Sequence, residues 1–418
     1  MTTEPDFSVS PRRDNGPADV LNAACRCSVI EVPQLRSELA RLIGAGFAFE
    51  DRHAHMFSPH AVFVDRFDLD QLASVCRALH AVTRNAAYVE RVLQWAPSVA
   101  REAHAIDEGV IGVDFHLTSA GPRLIEINTN PGGLMLNAYA VEAVRTCCGQ
   151  VGPRPAQADD VITKALGAWL PRQGSTRRVA LVDELPEEQF LYPEFLLYRR
   201  ALQARGIDCT IADPSQLAWT GSDLLLSEER VDSVYNRLTD FDLSAPASFA
   251  LRAAIRSGSI HISPTPRAHA LFADKRNLAV LSDPGALDRL GVPRKVAALL
   301  SHALPVTVVV DDASRESLWA SRDRYFFKPA SGFGSRGSYR GDKMTRRVWE
   351  EVVDSDYVAQ AFVPPSRRVV ANGHSLKVDV RAYCVDGEPI LFAARLYEGQ
   401  TTNMRTPGGG FAPVLVQL

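Results

Sequence analysis

One lysine stands at the end of an aromatic run. Phe326-Phe327-Lys328 is followed at once by Pro329-Ala330-Ser331-Gly332-Phe333-Gly334-Ser335-Arg336-Gly337. Glycine permits backbone angles and close approaches that a side chain forbids. The free N–H groups of such a loop can cradle phosphate oxygens, and a lysine beside them adds charge. The lysine precedes the glycines, so this is not the Gly-x-x-x-x-Gly-Lys-Ser/Thr loop. Read alone, it could equally be a glycine-rich hairpin with an incidental lysine. The rest of the chain weighs on this choice. Lysine occurs only at 164, 275, 295, 328, 343 and 377 in a chain rich in arginine, and most of these positions surround the loop. Lysine is a compact, flexible point charge suited to phosphate oxygens.

A second group of polar residues lies on a predicted hairpin. Val110–Leu117 and Arg123–Asn128 read as strands joined by the turn Ser119-Ala120-Gly121-Pro122. Alternation puts Leu124, Glu126 and Asn128 on one face, with Ile125 and Ile127 on the other. Asp114 on the first strand can come alongside. Oxygen ligands of these three types are what magnesium takes, together with phosphates and waters. The loop Thr129-Asn130-Pro131-Gly132-Gly133 follows directly, which favours a site over a solvated polar face.

These residues need scaffolds to position them. Pro33–Leu42 has helical spacing closed by Gly44, and Leu69 to about 103 is helical with a break near Pro97. His53, His55 and His60 lie between them at spacings that fit no single face, and they read as surface histidines. Residues 150–178 are polar with three prolines around a short helical piece, as in a linker. From Arg178, strands at 178–183 and 207–212 and near 234–237 alternate with helix, which implies a parallel sheet. No Gly-x-Gly-x-x-Gly sits in its first turn, so a dinucleotide site is not indicated. Lys275 is expected on a helix beginning near Leu271. Tyr357–Val363 reads as a buried strand. Leu376–Arg381 alternates, so Lys377, Asp379 and Arg381 share a face, and Asp386-Gly387 turns the chain into a partner strand carrying Arg395.

The totals exclude several classes. A length of 418 residues implies two or three domains, and a net charge of −3 gives no reason to expect nucleic acid or anionic membrane as a partner. No apolar run reaches the roughly 20 residues of a spanning helix. The polar, proline-bearing stretch 1–20 lacks a secretory core and reads as a disordered tail. Cysteines 25, 27, 76, 147, 148, 209 and 384 form no disulfide framework, which fits a reduced cytoplasm, and the pair Cys147-Cys148 reads as packing.

In pieces covering most of the chain, these motifs resemble the ATP-grasp superfamily. Lys275 in Asp-Lys-Arg resembles its first nucleotide-binding lysine. Lys328 with Ser331, Gly332, Gly334 and Ser335 resembles the second lysine and the flap over the phosphates. Gln360, Phe362 and Val363 resemble the hinge that holds adenine, with Gln360 where many members have Glu. Asp379 resembles a nucleotide-binding residue, and Arg381, Arg395 and Asn403 resemble the acyl-phosphate segment. Asp114, Glu126 and Asn128 resemble the magnesium ligands. The Glu-Ile-Asn segment precedes the Asp-x-Arg segment, the reverse of the usual order. The resemblance is therefore to a circularly permuted member, similar in arrangement to eukaryotic glutathione synthetase and glutathionylspermidine synthetase.

What this implies is an α/β (α+β) ATP-grasp fold. Residues 21–150 would be the permuted C-terminal part with the metal-binding hairpin, 151–177 a linker, 178–265 a Rossmann-like α/β domain that ordinarily precedes the nucleotide domain, and 266–418 the nucleotide-binding part. The implied activity is ADP-forming ligation of a small-molecule or peptide carboxylate to an amine or thiol, through an acyl phosphate, with ATP and Mg2+ as cofactors. A small-molecule kinase and a nucleotide-binding protein without turnover are the alternatives, and a homodimer stays open.

Overall fold

The computed structural model describes residues 16–102, 107–145, 157–171, 176–332, 334, 336–371 and 373–417. In chain order, the first part contributes strands β1 (Val62–Asp65), β2 (Ile111–Thr118) and β3 (Gly121–Asn128). The middle contributes β4 (Arg178–Val182), β5 (Asp208–Ala212), β6 (Leu217–Trp219), β7 (Leu224–Leu226), β8 (Glu229–Arg230), β9 (Ser233–Asn236) and β10 (His261–Ser263). The last part contributes β11 (Thr307–Val309), β12 (Tyr325–Pro329), β13 (Tyr339–Arg340), β14 (Tyr357–Ala361), β15 (Ser366–Val369), β16 (Ser375–Val385), β17 (Glu388–Tyr397) and β18 (Gly410–Gln417).

The largest sheet runs β1-β18-β17-β16-β2-β3, with β15 also paired to β16. It takes strands from both ends of the chain. β18 lies parallel to β1, and β2 lies antiparallel to β16. Leu72 and Leu79 of the helix Arg66–Thr83 pack with Phe115, Val378 and Val380 in the core of this sheet. A second, antiparallel sheet runs β11-β14-β12-β13, backed by Phe327, Trp349 and Val352. A third, β10-β9-β4-β5, is parallel throughout, as strand–helix alternation predicts. The mixed α/β class expected from the sequence is what the chain forms.

Several local expectations need correction. Residues 17–20 belong to a helix, Pro17–Ala24, whose Asn22 side chain pairs with both backbone groups of Phe63 at 2.8 and 3.0 Å. Most of the polar 1–20 stretch lies outside the described residues. The segment expected as a linker holds a docked helix, Ala158–Trp169, with Val161, Ile162, Leu166 and Trp169 buried and Trp169 stacked on Tyr235 at 4.6 Å. Apolar residues recurring at helical spacing outweigh the flanking prolines there. His53 and His60 are buried rather than at the surface, because each finds a backbone partner: His53 Nδ1 accepts from Glu50 N, and His60 Nδ1 pairs with Cys27 O. Cys147 and Cys148 lie outside the described residues.

Candidate active site

The large mixed sheet and the antiparallel sheet β11-β14-β12-β13 both contribute walls to a cavity of about 570 Å³. Asp114, Glu126, Asn128, Lys275, Lys328, Asp379, Arg381 and Arg395 all line it, drawn from both halves of the chain. Gly332, Gly334, Gln360, Phe362, Val363 and Asn403 line it too. Ser331 is exposed and outside that lining, and Ser335 lies outside the described residues.

A row of charges crosses three strands of the large sheet. Register sets Arg381 opposite Asp114 and Asp114 opposite Glu126. Arg381 grips Asp114 with two parallel hydrogen bonds, Nε to Oδ1 at 2.6 Å and a terminal nitrogen to Oδ2 at 2.7 Å. Arg395 adds a contact to Oδ2 at 2.9 Å, and Asn128 Nδ2 donates to the same oxygen at 3.1 Å. Burial pushes the Asp114 carboxyl up, but the two guanidinium groups outweigh it and hold the group well below the usual carboxylate range.

The hairpin departs from simple alternation. Between Asp114 and Phe115 the register slips: Glu126 stays opposite Asp114 while Leu124 falls opposite Phe115, leaving Ile125 as an extra, bulged residue. Leu124 therefore turns into the core with Ile127, and Ile125 lines the cavity, contrary to the period-two expectation. The bulge also turns the Ile125 carbonyl toward the opposite sheet, where it accepts from Lys328 Nζ at 2.9 Å.

Lys328 sits near the end of β12, buried, and also donates to Gln360 Oε1 at 2.8 Å. Burial pushes its ammonium down to about 8, against the opposing pull of Glu126. Gln360 Nε2 is buried without a partner among the described residues. Lys275 does not lie within a helix as expected. It occupies the break between helices Pro266–Phe272 and Arg276–Leu281, and its Nζ reaches Gly332 O at 2.9 Å and Glu126 Oε1 at 3.3 Å. Such a break lets the side chain leave both helices and enter the cavity.

Asp379 is held by four donors. His116 Nε2 at 2.9 Å and the Tyr397 hydroxyl at 3.0 Å meet Oδ1; Arg395 at 3.3 Å and the Thr402 hydroxyl meet Oδ2. Burial opposes ionisation, yet His116, Arg395 and Thr402 keep the carboxyl below its ordinary value. The other nitrogen of His116 meets Val363 O at 2.8 Å, so one ring ties the hinge to the charged sheet. His116, Tyr397 and Thr402 escaped the sequence reading. The signal for His116 was present, two residues after Asp114 on the same strand face. Asn403 turns inward on its own loop, donating to Glu398 O at 2.6 Å and accepting from Arg405 N at 3.0 Å.

The same fold occurs in a solved protein. A glutathione synthetase-like effector from Globodera pallida, in its apo form, matches with a TM-score of 0.53 at 13% identity, over 86% of this chain and 90% of that one. What the two share is the fold. Weaker likenesses are to a putative gamma-glutamylcysteine synthetase from Methylobacillus flagellatus, with a TM-score of 0.45, 12% identity and coverage of 84% and 87%. Another is to the D-cycloserine synthetase DcsG, at 0.31, 15%, 57% and 90%. No family model and no curated protein matches the sequence. Among the described residues no helix is long and apolar enough to cross a membrane.

The cavity's donor set suits a nucleotide and its cation. Lys275, Lys328, Arg381 and Arg395 supply positive charge, and Gln360 lines the same space with a buried Nε2 that has no partner among the described residues. For magnesium, Glu126 is nearly a third exposed and, among the described residues, pairs with Lys275 as its one charged contact, and Asn128 stands two residues on along the same strand. Asp114 differs, because its oxygens are already engaged by Arg381, Arg395 and Asn128. Among the described residues no three His, Cys, Asp or Glu side chains group to hold a metal by themselves. Magnesium bound through one or two protein oxygens, with the rest from phosphates and water, fits this set.

Proposed function

We propose that the protein is an ADP-forming, ATP-dependent ligase that activates a carboxylate as an acyl phosphate and passes the acyl group to an amine or thiol. The observation that carries this reading is the meeting of Lys275, Lys328, Arg381 and Arg395 around Glu126 and Asn128 in one cavity. Phosphoryl transfer asks the protein mainly to align reactants and neutralise developing charge. Lys275 and Lys328 meet the α- and β-phosphates, under the glycine loop. Gln360, Phe362 and Val363 hold the base. Arg381 and Arg395, oriented by Asp114 and Asp379, steady the transferred phosphoryl group and then the tetrahedral intermediate. Asn403 shapes the loop that covers this end, and no side-chain nucleophile is needed. Glu126 and Asn128 would hold magnesium, which would supply positive charge to offset that of the phosphates. Asp114, the third ligand expected from the sequence, serves this reading better as the anchor of the arginines.

A circular permutation accounts for the order of the motifs. The pairing of β1 with β18 and of β2 with β16 supports it. The test of the function is product analysis. Incubation with ATP, magnesium and a panel of carboxylates should release ADP, and hydroxylamine should trap a hydroxamate. AMP release would remove the acyl-phosphate route, and a stable phosphorylated product would make the protein a kinase.

A further inference from the structure

A second cavity, of about 300 Å³, opens beside the first and shares Glu126, Asn128, Lys275 and Gly332 with it. Its far wall is the parallel sheet. From β4 the chain passes to β5 on one side through the helix Tyr192–Gln203, and from β9 it passes to β10 on the other through the helix Phe249–Ser257. The sheet order therefore diverges between β4 and β9, and open α/β sheets bind ligands beyond the carboxyl ends of their strands at such a point.

Asp183 and Arg237 are the residues that stand there. Val182 pairs with Asn236 in register, so each is the next residue beyond its strand, and Arg237 N donates to Val182 O at 2.8 Å. Asp183 is 8% exposed and Arg237 is 7% exposed, and both line the cavity. Yet neither forms an ion pair with any described residue. Asp183 Oδ1 accepts from Glu184 N at 2.9 Å. Arg237 reaches the Tyr235 hydroxyl at 3.4 Å, lies 5.7 Å from the ring centres of Phe195 and Tyr235, and keeps a buried Nε without a partner. Burial pushes the Asp183 carboxyl up to about 7 despite the nearby guanidinium. Buried charges are ordinarily paired. Arg237 also feels the buried carboxylate of Glu194 through space, but that group's oxygens are taken by Gly133 N and Met135 N at 2.8 and 2.9 Å. Asp183 and Arg237 thus share one enclosed space with no ion pair to any described residue, which is the complement of a molecule carrying both charges. A phosphate or dicarboxylate head would satisfy Arg237 but meet Asp183 with like charge.

We propose that this cavity binds the head group of an α-amino acid or amino-acid derivative, its carboxylate on Arg237 and its ammonium on Asp183. Phe190 and Phe195 line the space around it, with Phe241 stacked on His269 at 3.7 Å. The remainder of the molecule extends toward Glu126, where the two cavities join. That this molecule is the ligase's substrate rests on the function proposed above; its binding does not.

The experiment uses the full chain without nucleotide. The twenty common L-α-amino acids are screened by thermal shift, and the best is titrated by calorimetry beside its methyl ester and its N-acetyl form. At least one amino acid should bind, and both blocked forms should bind at least about tenfold more weakly, because each loses a charge-assisted hydrogen bond. Arg237→Met and Asp183→Asn should lose binding to a similar degree. The proposal is overturned if none of the twenty binds, if the blocked forms bind as well as the parent, or if Arg237→Met retains full affinity. The blocked-ligand arm needs no variant, so a folding defect cannot decide the result. Binding with no ADP formed on later addition of ATP and magnesium would uphold the head-group site and remove the ligase reading.

Discussion

Asp114 and Asp183 are both buried aspartates lining adjoining cavities, and they are pushed in opposite directions. Burial raises both carboxyls. At Asp114 two guanidinium groups within hydrogen-bonding distance reverse that effect; at Asp183 the neighbouring Arg237 is too far to pair and burial wins. The difference teaches that charge count does not describe a site. Asp114 belongs to a network completed by the protein, which fixes the positions of Arg381 and Arg395. Asp183 and Arg237 form a network left open, as expected where a ligand supplies the missing partners.

The largest effect should come from breaking the closed network. Asp114→Ala leaves Arg381 buried without its counter-ion, and removing one partner of a buried pair costs about 3–5 kcal/mol. Chemical denaturation should report that loss, and turnover should vanish with it. If stability is unchanged, the pairing seen across β2 and β16 is not what organises the cavity. Glu126 comes next, as a carboxylate that the protein has neither closed nor buried. Glu126→Gln keeps the shape and removes the charge from the proposed metal shell. We expect turnover to fall on the order of 100-fold, about 2.7 kcal/mol in barrier, with stability nearly unchanged. A magnesium titration of ADP release in both forms checks this, and a wild-type rate and magnesium dependence would return Glu126 to an ordinary hairpin residue.

Much of this contrast was legible in the sequence, though unevenly. Lys328 ahead of its glycine loop, the Asp379-x-Arg381 alternation and the partner strand bearing Arg395 could be read because strand periodicity and turn chemistry are local. The bulge at Ile125 could not, since a one-residue slip is fixed by the partner strand and by Lys328, which is about two hundred residues away in the chain. The break that frees Lys275 likewise carries no proline or glycine to announce it. Asp183 and Arg237 stood at visible strand ends. What makes them notable, an unpaired charge on each side of one cavity, arises only when β4 and β9 lie side by side.

Lys328 lies between the two cases, a buried cation whose hydrogen bonds go to neutral acceptors while the carboxylates of Glu126, Asp114 and Asp379 act on it through space. Lys328→Ala removes a group that burial already disfavours, so the fold should remain intact. Nucleotide affinity by calorimetry should fall by about tenfold or more, equivalent to about 1.4 kcal/mol. Unchanged affinity would make the glycine loop a plain hairpin.

The smallest effect lies at Asp183 and is a matter of pH. Its carboxyl titrates near 7 in the folded chain and near the ordinary aspartate value, about 3.9, when unfolded. Between those values the folded state holds a proton that the unfolded state has lost. Stability contributed by this group must therefore fall as pH rises across that window and level off above it. Asp183→Asn keeps a polar side chain of the same size and removes the titration. Ligand-free wild type and variant should melt together near pH 4, where both side chains are neutral. By pH 8 the variant should be the more stable, the sign being fixed by the raised carboxyl of the wild type. Asp114 predicts the reverse sign, because its folded carboxyl lies below its unfolded value: its contribution is full above about pH 4 and is lost as pH falls further. A pH series of melts on wild type and Asp183→Asn separates the two. If the curves run parallel from pH 4 to 8, Asp183 is paired in solution and the open network does not exist.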